Sequence, residues 1–166
     1  MSIDFNADEI FEMAEEIERN GARFYRKAAE GKEDTHSHQL LLDLAAMEDE
    51  HEKLFASMRK DLSKQERASD VFDPYNEAAL YLRAMADGAV FNVKKDPSED
   101  LTGSESMEDI LRRAIGLEKD SIVFYLGMKE MVPERLGRPK VEAIIKEEMK
   151  HITDLNGALV ELKRLK

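Results

Sequence analysis

Six side chains in this sequence have the types and the spacing to hold two metal ions. Glu48 and His51 stand three residues apart within LAAMEDEHEKLF, and Glu148 and His151 repeat that spacing one hundred residues later within IIKEEMKHITDL. Both pairs lie on apolar stripes of helical period: Leu41, Leu44, Met47, Leu54, Phe55 and Met58 around the first, Val141, Ile144, Ile145, Ile152, Leu155 and Leu159 around the second. Side chains at i and i+3 lie one above the other on a helix face, so carboxylate and imidazole can reach one point. Thirty residues before each pair stands another Glu on an apolar face, Glu18 among Ala14, Ile17, Gly21 and Tyr25, and Glu118 among Ala114, Leu117, Ser121 and Tyr125. A buried carboxylate is costly unless it is paired, hydrogen-bonded or bound to metal. Four in one core would repel one another. Two divalent cations balance their charge, and two neutral imidazoles complete a nitrogen and oxygen shell suited to Fe, Mn or Zn. Six protein ligands leave positions open for water, dioxygen or peroxide.

The repetition carries this signal, because a lone Glu-x-x-His is a frequent coincidence in an acid-rich chain. Glu33 and His36 form one such pair in the polar stretch KEDTHSH and read as chance. Laying residues 1–66 on 101–166 leaves nine identities, at Ile10, Ala14, Glu18, Phe24, Tyr25, Glu30, Glu48, His51 and Leu62. The overall repeat is weak, yet it retains every polar type of the site. Tyr25 and Tyr125 follow Glu18 and Glu118 by two helical turns; three roles are open to them, a hydrogen bond to a ligand carboxylate, electron transfer and core packing. Glu147 and Asp154 are candidate acceptors for imidazole N–H, with a solvated position the simpler reading of each. His36 and His38 read as surface residues, and Met13, Met47, Met58, Met85, Met107, Met128 and Met149 as packing.

The elements that must position these groups are helices. Charged residues are 37% of the 166, hydrophobic ones 42%, and Gly and Pro are few, which favours long amphipathic helices in one domain. The first helix is expected over about 7–31, opened by an Asn6/Glu9 capping box. The second is expected over about 35–65, capped by Asp34 or Thr35. Residues 66–105 form a crossover with a short helix that starts at Asp73-Pro74 and ends near Gly88. In that crossover Ala89–Val93 could be extended, and KKDPSEDLTGS reads as exposed loop. The third helix runs over about 106–131 from a Ser104 or Ser106 cap, and the fourth over about 139–164 with Pro139 in its first turn. The expected architecture is an all-α four-helix bundle of two helical hairpins, the crossover returning the second half in the same sense as the first.

Other classes are disfavoured. A net charge of −11 opposes binding to nucleic acid or an anionic membrane surface. There is no Cys, hence no disulfide framework, thiolate metal site or thiol nucleophile. No stretch approaches 18 apolar residues and MSIDFNADEI lacks the regions of a signal peptide, so a cytoplasmic location is expected.

EIERNGARFY, LAAMEDEHEKLF, GLEKDSIVFY and IIKEEMKHITDL, in that order, resemble the rubrerythrin-like branch of the ferritin-like di-iron carboxylate superfamily. The resemblance covers the four long helices and matches the crossover only loosely. It implies a ferritin-like bundle around two iron ions, with Glu18 and Glu118 flanking, Glu48 and Glu148 bridging, and His51 and His151 each binding one metal. It further implies peroxide or dioxygen as oxidant and a rubredoxin or reductase as external electron donor. A homodimer or higher homo-oligomer is the expected assembly. The expected function is a rubrerythrin-like peroxidase or a ferroxidase. The alternatives are iron handling or redox sensing without turnover, or a bundle holding Zn or Mn. Two departures bear on the choice: rubrerythrins proper carry a Cys-rich rubredoxin domain, and a further Glu three residues after the third-helix ligand, where this chain has Ser121.

Overall fold

The computed structural model describes residues 7–33, 35–62, 77–86 and 92–165. Its helices are α1 (Ala7–Ala29), α2 (His38–Lys60), α3 (Glu77–Ala86), α4 (Met107–Met131) and α5 (Arg138–Arg164), with short 3-10 turns at Pro97–Asp100 and Glu134–Leu136. The hairpins α1/α2 and α4/α5 pack together as a four-helix bundle, and α3 lies against α4. The 23 residues of α1 and of α2 span about 35 Å each at 1.5 Å per residue.

Helix ends follow local chemistry. Gly31, at φ 68°, takes the left-handed turn that closes α1. The second helix begins at His38, later than expected, because Thr35 is used in the turn itself. Its N–H and hydroxyl both donate to the Lys32 carbonyl, at 2.9 and 2.7 Å. His38 is not a plain surface residue, since its Nδ1 lies 3.1 Å from the Ala29 carbonyl and ties the start of α2 to the end of α1. Ser106 caps α4 by accepting from the Asp109 N–H at 3.1 Å. The expected caps at Asn6, Asp34 and Asp73, and the end near Gly88, lie outside the described residues.

The stretch 94–104, expected as exposed loop, is partly folded onto α1. Asp96 accepts from the Ser98 N–H at 2.9 Å and opens the 3-10 turn, and Ser98 and Leu101 are buried. Asn20 of α1 holds this strap by donating to the carbonyls of Val93 at 2.9 Å and Lys95 at 3.4 Å.

The core has two apolar parts, and their membership gives the direction of each helix. Ile10, Phe11, Phe55, Met58, Phe124, Met128, Val141 and Ile144 form one; Phe24, Ala28, Leu41, Leu44, Ile110, Leu111, Leu155 and Leu159 form the other. Helices α1 and α5 run from the first part to the second, and α2 and α4 run the opposite way. The second hairpin therefore enters from the end where α1 finishes, contrary to the expectation that it returns in the same sense. Lys32, in the first hairpin's turn, donates to the Glu105 carbonyl at 2.8 Å, just before α4 begins. The reason is the way the two like halves pack on one another, which the repeat alone leaves open. A two-fold axis across the bundle brings α1 against α4 and α2 against α5 in antiparallel pairs, and the equivalent polar groups then face one another at mid-length.

Candidate metal centre

Between the two apolar parts each long helix turns its polar residue inward. Glu18, Glu48, His51, Glu118, Glu148 and His151 are all buried, none more than 4% exposed. They form two interlocking groups, Glu18, Glu48, His51 and Glu148 on one side, and Glu48, Glu118, Glu148 and His151 on the other. In each group the ligand atoms lie within 4.8 Å of one another. Glu48 and Glu148 belong to both groups, the place a bridging carboxylate must occupy. The imidazoles stack at 5.8 Å between ring centres and 19° between planes.

The contacts converge on Nδ1 of each ring. His51 Nδ1 lies 3.0 Å from Glu148, 3.4 Å from Glu18 and 3.7 Å from Glu48. His151 Nδ1 lies 2.8 Å from Glu148, 3.5 Å from Glu118 and 3.6 Å from Glu48. These approaches are close, yet both Nδ1 atoms and both oxygens of Glu148 are buried without a directed hydrogen bond. Orphaned donors and acceptors at the centre of a core are what a cation would satisfy. The donor set, four carboxylates and two imidazoles, fits two divalent ions.

Electrostatics within the metal-free cluster point the same way. Burial, reinforced by Glu18 and Glu148, pushes the Glu48 carboxyl well above its ordinary range. Burial likewise raises Glu118 to about 8. At Glu148 burial is outweighed by His151 and His51, which hold it down at about 2. Burial opposes a charge on His151, but Glu118 and Glu148 hold it up at about 9. His51 is raised further, against the same cost of burial, by Glu148, Glu18 and Glu48. The Glu148 carboxylate thus lies charged between two protonated rings, while Glu48 and Glu118 favour their protonated forms.

The tyrosines cross the bundle. Tyr25 donates to Glu118 and Tyr125 to Glu18, so each binds the flanking carboxylate of the other half. Burial and the neighbouring carboxylates raise both phenols well above their usual value, which keeps them neutral donors. Glu147, for which a solvated position was the simpler reading, also has a partner: His51 Nε2 lies 2.8 Å from its Oε2, although its side chain remains 49% exposed. Asp154 stays at the surface near Lys150, 3.9 Å away. His36 is exposed and faces Glu161 at 3.3 Å, away from the centre. Sequence reasoning missed Asn20 altogether, though a polar residue between Ile17 and Phe24 on an apolar face was the available signal.

A cavity of ~170 Å³ reaches the centre from the strap. Glu48, Glu118 and Tyr25 line its inner end, with Asn20, Val93 and Ser121 along its walls. Ser121 is half-buried and donates to the Leu117 carbonyl at 3.0 Å, a bond within its own helix.

With four long helices, a short helix in the crossover and a buried carboxylate and histidine centre at mid-length, the molecule has the fold of a ferritin-like bundle. A crystal structure from Thermotoga maritima, described provisionally as a ferritin-like diiron-carboxylate protein, is similar at a TM-score of 0.69 and 22% identity, over 97% of this chain and 99% of that one. No protein-family model and no curated protein matches the sequence. Among the described residues no helix is long and apolar enough to cross a membrane.

Proposed function

We propose that this protein is a rubrerythrin-like non-haem di-iron oxidoreductase that reduces peroxide or dioxygen with ferrous iron. The observation that carries the reading is the sharing of Glu48 and Glu148 between two buried groups, each completed by its own His and its own flanking Glu. Glu18, Glu48, His51 and Glu148 would hold one ion, and Glu48, Glu118, Glu148 and His151 the other. A bound pair of ferrous ions would supply the two electrons that, with two protons, take peroxide to two waters. The chain's own residues do the rest. Four carboxylates set the charge of the centre, Tyr25 and Tyr125 hold Glu118 and Glu18 in place, and the cavity beside Ser121 admits a small oxidant. An external rubredoxin or reductase would return the electrons. The deciding experiment is metal content of protein purified without air, followed by stopped-flow mixing with peroxide and with dioxygen. Two irons per chain that oxidise on mixing support the reading; zinc held without any spectral response to either oxidant overturns it.

A second reading is iron handling or redox sensing, in which a single oxidation event suffices. Ser121 bears on the same choice. A hydroxyl is too short to displace a His ligand, so a smaller preference for peroxide over dioxygen is expected than in rubrerythrins proper. Ser121→Glu, one helical turn from Glu118 and within the same cavity, should speed oxidation by peroxide more than by dioxygen. An unchanged ratio of the two rates would refute the argument from this position.

A further inference from the structure

We infer that the two metal positions are inequivalent and that Glu147 is a positioning residue that makes the His51 position the tighter one. The inference rests on the reading of the six buried residues as ligands of a metal pair, and it concerns how this chain departs from its own two-fold symmetry. In each half the imidazole presents Nδ1 to the carboxylates, so Nε2 faces away from the centre. On His51 that outer nitrogen is 2.8 Å from the Glu147 carboxylate. A carboxylate there fixes the proton on Nε2, leaves the Nδ1 lone pair free for a cation, holds the ring in orientation and raises its basicity. On His151 the outer nitrogen is buried and finds no hydrogen-bond partner among the described residues. The sequence explains the difference. The hundred-residue offset that maps every proposed ligand onto its counterpart maps Glu147 onto Met47, whose thioether is only a weak acceptor. Among the described residues, then, no polar group braces the outer nitrogen of His151 as Glu147 braces that of His51.

The asymmetry gives the centre an order of filling. Partners of this kind are typically worth about 10–100-fold in metal affinity. Because the Glu147 side chain is 49% exposed, its charge is screened and the lower part of that range is expected. The ion at the His51 position binds first, and the ion at the His151 position binds more weakly and leaves first.

The test is anaerobic titration of the metal-free full chain with Co(II), followed by its visible absorption. Wild type should take up two ions in two separable steps. His51→Ala should remove the tighter step, and His151→Ala should leave it. Glu147→Ala should weaken the tighter step about 10-fold or more and leave the weaker one unchanged, and Glu147→Gln, which retains a hydrogen-bond acceptor, should recover part of the loss. Met47→Glu should strengthen the weaker step. Two ions bound with constants that Glu147→Ala does not alter, or alters equally, would overturn the inference while leaving the metal pair standing. Failure to bind a pair at all would overturn both.

Discussion

The burden on single residues is greatest at Glu48 and Glu148, which are buried and shared by both groups. On the proposed reading, removing either would leave two cations with one bridging carboxylate and one negative charge fewer. Glu48→Ala and Glu148→Ala should therefore each reduce bound metal from two ions to at most one, whereas His36→Ala should leave the stoichiometry unchanged. Metal analysis of the three variants beside wild type checks this, and equal contents in all four would exclude the six-ligand arrangement. Protonation of the same residues sets the pH dependence. Glu118 at about 8 and His151 at about 9 both bind their proton more tightly folded than unfolded. Their contribution to stability is complete below the ordinary values of 4.5 and 6.5. It is lost as pH rises through about 8 and about 9. Metal-free protein should thus melt at lower temperature at pH 9 than at pH 7. Affinity for divalent ions, which must displace those protons, should rise over the same interval. Thermal melts and Co(II) titrations at the two pH values would show it; a metal affinity that falls with pH would contradict this account.

At the scale of elements, α3 and the strap over 94–104 are attached to the long helices at specific contacts. Helix α3 lies so close to α4 that a Cβ on Gly127 would fall 2.5 Å from the Tyr81 ring, while the Tyr81 hydroxyl donates to the Val123 carbonyl at 2.7 Å. Ring carbon and Cβ cannot share that distance, so Gly127→Ala should push α3 away and release the Tyr81 bond. A cost of about 1–3 kcal/mol is expected for overpacking at such a contact. Faster proteolysis within 77–86, with the helical content of the bundle retained, is the measurement; unchanged proteolysis would mean that α3 is not docked as described. The strap is held differently, by polar contacts beside the buried Leu101: Asn20 satisfies the backbone carbonyls of Val93 and Lys95, two residues that line the cavity, and Arg23 lies 3.4 Å from Asp96. Without Asn20 those carbonyls would have to face solvent, and the approach to the centre would change with them.

Across the whole molecule, a metal pair in the proposed centre would stabilise the bundle that holds it. The six polar groups interrupt the core at mid-length of all four long helices, where a bundle of this length would otherwise place apolar side chains. In the absence of cations the fold must hold protons on groups that would be ionised in water. A ligand that binds only the folded state adds RT ln(1 + [L]/Kd), about 2.7 kcal/mol at one hundred times Kd. For a chain of this size that corresponds to a rise in Tm of about 5–10 °C. Melting curves across a titration with Fe(II) without air, or with Mn(II), should show it. A Tm unaffected at saturation would count against a buried site.

What the sequence determined by itself was whatever depends on position along one helix. Glu48/His51 and Glu148/His151 are legible because i and i+3 share a face in any helix, and the apolar stripes around them say which face is inward. The all-α bundle of hairpins with a helix in its crossover is legible for the same reason, since periodicity and turn residues are local properties. Relations between helices were decided only by the tertiary structure. Tyr25 reads as a neighbour of Glu18, two turns away, yet its hydroxyl reaches Glu118 because the helices α1 and α4 run antiparallel. The sense of the second hairpin could not be read either, since a repeat fixes equivalence of the two halves and not the axis that relates them. Glu147 reads as one more acid on a charged helix; its bond to His51 exists only because α5 faces α2. Thr35 and the 94–104 strap were misjudged because a polar side chain within a turn has backbone and solvent as competing partners, and only the packed chain chooses between them.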